Sequence, residues 1–141
     1  MTNAHRLSAR YPRSKASVGR AREFARRFAE GAALDGTSDD LVQIVSELVA
    51  NAIVHGRTAR DRQVALMLDM DSDRVRVEVR DVGDGMPRKR CGERDLAVSG
   101  RGLEMVEILS SAWGVTEQVI GKTVWAEIRI AGEGGSGTCD Q

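Results

Sequence analysis

Glu47-Leu48-Val49-Ala50-Asn51-Ala52-Ile53-Val54-His55-Gly56 decides the reading of this chain. It is the end of an amphipathic helix. Leu41, Val42, Ile44, Val45, Leu48, Val49, Ala52 and Ile53 recur at a spacing that, at 100° per residue, gathers them in one broad stripe. Glu47, Asn51 and His55 follow one another a turn apart along the flank of that stripe. Three polar side chains therefore stand at the rim of a core, where a ligand can reach them. Ser38 or Asp39 is the expected helix cap and Gly56 the expected exit.

Upstream, Val18, Ala21, Ala25 and Phe28 mark a helix from Lys15 to about Glu30, with Ser14 as its cap. Arg20, Arg22, Arg26 and Arg27 cover its remaining faces, either as a solvated surface or as a docking surface for an acidic partner. Gly31 to Thr37 reads as an exit and loop. Residues 1–13 form an N-terminal arm, with a short edge strand around Leu7 to Tyr11. Downstream, Val64, Leu66, Leu68 and Met70 alternate with their neighbours, as do Val75, Val77 and Val79. Around the turn Asp71-Ser72-Asp73 this is a hairpin with one buried face. Residues 88–99 are polar and of mixed charge, and are expected to form a mobile loop over the site.

A third helix is expected over Gly102 to Ala112. Leu103, Val106 and Leu109 set its core face, Met105 and Ile108 broaden it, and Trp113-Gly114 ends it. A strand at Val115 to Gln118 and one at Thr123 to Ile130 close the pattern. In the latter, Val124, Ala126, Ile128 and Ile130 face the helices, while Trp125 lies on the far side with Thr123, Glu127 and Arg129. Residues 131–141, rich in glycine, read as a disordered tail. Two helices, a hairpin, glycine segments, a helix and two strands predict a two-layer α/β (α+β) sandwich: a mixed, largely antiparallel sheet covered on one face by helices. The other face stays open, with Trp125 available to a dimer or another partner.

Composition limits the function classes. A chain of 141 residues with 41% hydrophobic residues suits one domain, expected here over residues 14–130. The formal net charge of zero argues against a general nucleic-acid binder. Cys91 and Cys139 lie far apart with no zinc spacing, which fits a reduced, cytoplasmic setting. No signal-peptide core and no membrane-spanning apolar run are present in the sequence.

Two glycine segments give the polar stripe a context. Asp81 ends the second hairpin strand and opens Asp81-Val82-Gly83-Asp84-Gly85. Its carboxylate can accept the exocyclic amine of adenine, and Gly83 and Gly85 permit close backbone approach to base and ribose. Asp84 reads as exposed. Gly100 and Gly102 precede a helix, where backbone amides and the helix terminus can receive phosphate oxygens. Arg101 either reaches a phosphate or is an exposed lid residue. Glu47 can accept a proton from an attacking hydroxyl or water, orient a metal-bound water, or simply hydrogen-bond to Asn51. Asn51 offers a neutral amide oxygen suited to Mg²⁺ beside phosphates, or to a bond within the helix. His55 reads as a helix-end residue bonded to the final carbonyls. Thr123 supports Asp81 or a water near adenine, or is an ordinary strand threonine.

Glu47-x-x-x-Asn51, Asp81-x-Gly83-x-Gly85, Gly100-x-Gly102 and Lys122-Thr123 together resemble the ATP-binding superfamily of gyrase, Hsp90, histidine kinases and MutL. Ser46 to Gly56, Gly102-Leu103-Glu104-Met105-Val106 and Gly121-Lys122-Thr123-Val124-Trp125 resemble, more narrowly, the bacterial anti-sigma-factor serine kinases. That resemblance implies a histidine-kinase-like ATPase fold over residues 14–130 and ATP with Mg²⁺ as cofactors. It implies Glu47 as catalytic base, Asn51 as Mg²⁺ ligand, and Asp81, Gly83, Gly85 and Thr123 around adenine. Gly100, Arg101 and Gly102 would stand at the phosphates. The implied reaction phosphorylates a serine of an anti-anti-sigma protein, by a homodimer that also sequesters a sigma factor and binds neither nucleic acid nor membrane. The alternatives are a non-catalytic regulator, a simple ATPase and a detached histidine-kinase catalytic domain. The last is disfavoured because no dimerisation helix pair with a phosphoacceptor histidine precedes the domain.

Overall fold

The computed structural model describes residues 5–34, 36–55, 63–82, 100–117 and 122–130. In chain order the elements are β1 (His5–Pro12), α1 (Ala16–Gly31), α2 (Ser38–His55), β2 (Gln63–Met70), β3 (Arg74–Val82), α3 (Gly100–Leu109), β4 (Ala112–Glu117) and β5 (Lys122–Arg129). The strands form one sheet in the order β1-β2-β3-β5-β4, and its four pairings are antiparallel. β5 enters between β3 and β4. The three helices of the described residues lie on one face. α2 packs against both α1 and α3, and reaches β2, β3 and β5 beneath it.

The core follows the two periodicities. Val64, Leu66 and Leu68 of β2 and Val75 and Val77 of β3 are wholly buried, as are Leu41, Ile44, Val45 and Val49 of α2. Phe28 of α1 completes this layer and stacks on His5 of β1 with ring centroids 4.9 Å apart. β1 extends along the whole of β2, from His5 opposite Met70 to Pro12 opposite Gln63. The hairpin turn is locked by Asp71, whose Oδ1 accepts the Asp73 and Arg74 amides at 3.1 and 3.2 Å. Those bonds, the Asp73 amide first, hold the Asp71 carboxyl below its usual pKa.

Element ends depart from the sequence expectations for identifiable reasons. Ser14 does not cap α1: Lys15 holds that position without a side-chain bond. The corner is instead fastened by Ser17, buried, whose hydroxyl donates to the Pro12 carbonyl at 2.7 Å. α2 begins at Ser38, and its first bond runs from the Leu41 amide to the Thr37 carbonyl, so Thr37 rather than Ser38 or Asp39 stands at the boundary. Asp39 and Asp40 sit in the first turn, where they complement the helix dipole. The Ser110 amide still makes the last helical bond, to the Val106 carbonyl that the Ser110 hydroxyl also reaches, and α3 ends there because the Ser111 amide leaves the helix for the Glu127 carbonyl. Trp113 and Gly114 are therefore strand residues, not the end of a helix. Met105 and Ile108 broaden the apolar face of α3 without joining the core, being 37% and 73% exposed.

α1 ends in a Schellman turn, with the Leu34 amide bonded to the Ala29 carbonyl and the Ala33 amide to that of Glu30. The left-handed position falls on Ala33, at φ 57°, where glycine has no Cβ penalty. Ala33→Gly is expected to stabilise the fold by ~0.5–1 kcal/mol, read as a raised denaturation midpoint at constant slope. A lowered midpoint would show that the alanine is not strained there.

Candidate functional site

Three elements converge on the site. α2 supplies Glu47 and Asn51, both half-buried on the flank of its apolar stripe. β3 supplies Asp81, at its penultimate position and opposite Val64. Since Val64 is fully buried, the register turns Asp81 to the helix-covered side of the sheet. α3 packs on α2 and supplies its own N-terminus.

The polar stripe on α2 starts a turn before Glu47, at Gln43. Gln43 Nε2 donates to Glu47 Oε2 at 2.9 Å, which fixes the carboxylate's orientation from the N-terminal side. The observed partner of Glu47 is thus Gln43, not Asn51. The spacing of four residues was the available signal for Gln43. Asn51 Oδ1 is buried and has no hydrogen-bond partner among the described residues. A buried amide oxygen in that state costs free energy unless a donor or cation reaches it.

Arg13 is a second residue the motifs did not point to. Its Nη2 donates to the Ile53 carbonyl at 3.2 Å. That carbonyl belongs to the last four residues of α2. The β1–α1 corner is thereby tied to the helix end that carries Asn51. The signal was only an arginine beside Pro12, and nothing local predicts a bond across 40 positions of sequence.

Gly100, Arg101 and Gly102 form the first turn of α3 instead of a loop before it. The amides of a first turn have no partners within the helix, and they carry the positive end of its dipole. This makes the turn a better anion receiver than a loop would be. Thr123 is buried in β5 and pairs in register with Arg80, one residue short of Asp81. Gly83, Asp84, Gly85 and residues 88–99 lie outside the described residues, as does Gly56. His55 is the final residue of α2.

The oxygen chemistry of the site suits a hard cation. Asn51 Oδ1 is a buried oxygen acceptor, and Mg²⁺ takes one or two protein oxygens and completes its shell with phosphates and water. No group of three or more His, Cys, Asp or Glu that could hold a metal by itself occurs among the described residues. Among those residues, too, no helix is long and apolar enough to cross a membrane.

The family model of the histidine kinase-like ATPase domain matches residues 11–128. The chain belongs to that family. This ATPase domain also superposes on the crystal structure of the RsbU and RsbW domains of Rv1364c from Mycobacterium tuberculosis, with a TM-score of 0.65 and 24% identity. The match covers 89% of this chain and 32% of that one, and the likeness is one of fold. No curated protein matches the sequence. The two-layer architecture expected from the sequence is thus the family's, and nucleotide binding comes with membership.

Proposed function

We propose that this ATPase domain is an ATP-dependent protein-serine kinase acting on an anti-anti-sigma protein, and that it sequesters a sigma factor. The observation that carries the reading is the pair on α2: a glutamate oriented by Gln43, one turn before an amide oxygen buried without a partner among the described residues. In this reading the oriented carboxylate is there to take a proton, a task that holding a nucleotide does not require. The motif resemblance of Ser46 to Gly56 to anti-sigma-factor kinases supports the choice of acceptor.

In this reading Asp81 accepts the adenine amine, with Thr123, Gly83 and Gly85 around the base. The amides of Gly100 to Gly102 receive phosphate oxygens, with Arg101 beside them. Asn51 would hold Mg²⁺, which supplies charge neutralisation on the phosphates. Glu47 takes the proton of the serine hydroxyl as it attacks, and Gln43 keeps that carboxylate aimed. Such positioning and electrostatic stabilisation account for most of what a protein contributes to phosphoryl transfer. Dimerisation and a cytoplasmic site of action belong to the same proposal.

Calorimetry of Mg-ATP binding tests the nucleotide half. Asp81→Asn replaces a charged acceptor, and is expected to weaken affinity by about 10- to 100-fold, in line with ~1.5–3 kcal/mol for a hydrogen bond to a charged group. Unchanged affinity would remove Asp81 from the adenine site. Transfer of labelled phosphate from ATP to a serine of a purified anti-anti-sigma protein tests the other half. ATP and sigma-factor binding without transfer would instead establish a non-catalytic regulator.

A further inference from the structure

The face of the sheet turned away from the helices is charged, and its charges do not balance. Strand registers place Arg6, Asp69, Arg76 and Glu127 in one row across β1, β2, β3 and β5. Arg6 bonds to Asp69 at 3.4 Å, and Arg76 bonds to Glu127 and Glu78, each at 2.8 Å. Arg74 takes the other Glu127 oxygen at 3.0 Å. Burial disfavours the charge on Arg76, yet its bonds to Glu78 and Glu127 more than offset this and raise its pKa. Every carboxylate of these rows is therefore engaged by an arginine of the same face.

Three further arginines on that face are exposed. Arg10 lies across from Ala65, Arg80 across from Ala65 on its other side, and Arg129 directly opposite Arg74. Like charges directly opposite in a sheet are destabilising. A chain of zero formal charge thus keeps a net positive face, with its carboxylates already committed.

The centre of the face is different. Met67 and Trp125 are half-buried there, in one row with Glu78 between them. The indole lies against Gly114, where an added Cβ would come within 2.9 Å of the ring, and the Arg76 guanidinium sits 4.5 Å from the ring centroid. The result is an aromatic and thioether centre with an arginine rim, the composition that anchors protein interfaces.

We propose that this face docks an acidic protein, whose carboxylates meet Arg10, Arg80 and Arg129 around an apolar contact on Met67 and Trp125. A second copy fits poorly, because a two-fold contact sets the same positive patch against itself. Nucleic acid fits poorly as well. Arg76 already covers the indole that a base would stack on. Partner binding at this face leaves the helix side, where the nucleotide residues stand, accessible.

The test is a photo-crosslinking residue at Ser8, an exposed neighbour of Met67 on this face, used in living cells and followed by titration of the purified captured protein. Expected is an acidic protein that loses affinity with salt. Arg10→Glu/Arg129→Glu should weaken it by about tenfold or more, Arg10→Ala/Arg129→Ala less, and Ile108→Ser on α3 not at all. Circular dichroism verifies that each variant folds. The proposal is overturned if the crosslink joins only two copies of this chain, or if no protein is captured. It also fails if the charge reversals leave affinity unchanged, or if a 20-nucleotide single strand or duplex binds wild type and is lost in the reversal variant.

Discussion

Glu47→Ala is expected to slow phosphoryl transfer by about 10²- to 10⁴-fold, the usual contribution of a positioned general base. Mg-ATP affinity should stay within a few-fold of wild type, because the carboxylate is assigned to the acceptor's proton and not to the nucleotide. Glu47 is half-buried on the helix flank, so its removal leaves no large cavity, and the denaturation midpoint serves as the control. Glu47→Gln separates two roles. It keeps an oxygen for the Gln43 amide, which now donates at 2.9 Å, but it cannot accept the proton. Equal losses in the two variants assign the effect to proton transfer. Single-turnover transfer at wild-type rate in Glu47→Ala would eliminate Glu47 as the base and point to a substrate-assisted or non-catalytic role.

Leu48→Ala is expected to destabilise the fold by ~2–5 kcal/mol, a large share of the ~5–15 kcal/mol typical of a domain. Leu48 is 1% exposed, and α2 is the element that touches both other helices and the central strands. Truncation there opens a cavity that no single neighbour can close. Ile108→Ala on α3 removes a similar volume from a side chain 73% exposed, and should change stability by about 0.5 kcal/mol or less. Urea unfolding at constant slope measures both. Comparable losses at the two positions would mean that Ile108 is covered in solution, while a small loss at Leu48 would contradict the packing of α2. Because Leu48 neighbours Glu47 in sequence but faces the core, its variant should still bind ATP at temperatures where it is folded. That outcome distinguishes support of the helix from chemistry at its flank.

Much of this organisation is a local property of the chain. Alternation along Val64 to Met70 and Arg74 to Arg80 announced which side chains would be buried, because a strand's side chains change face at every residue. The helical period did the same for Leu41 to Val49, and thereby set Glu47 and Asn51 at the rim of the core. Asp81 at a strand end and the glycines of α3 were legible as motifs for the same reason: each depends on residues within a turn or two of itself.

Other features needed the tertiary structure. The insertion of β5 between β3 and β4 depends on which edges can pair at long range, and no periodicity encodes partner choice. Trp113 and Gly114 look like a helix stop, but α3 ends before them because Glu127 of β5 takes over at Ser111. Met105 and Ile108 fit a helical stripe, yet α3 packs chiefly on α2, and of its apolar residues only Leu103 and Val106 are buried. The link from Arg13 to Ile53 and the arginine excess on the open face arise from strands and helices far apart in sequence being brought into register. Sequence by itself therefore determined the layers, the buried faces and which polar residues stand at the rim of the core. The tertiary structure alone decided strand order, helix ends and surface charge, because these follow from contacts between elements and not from the pattern within any one of them.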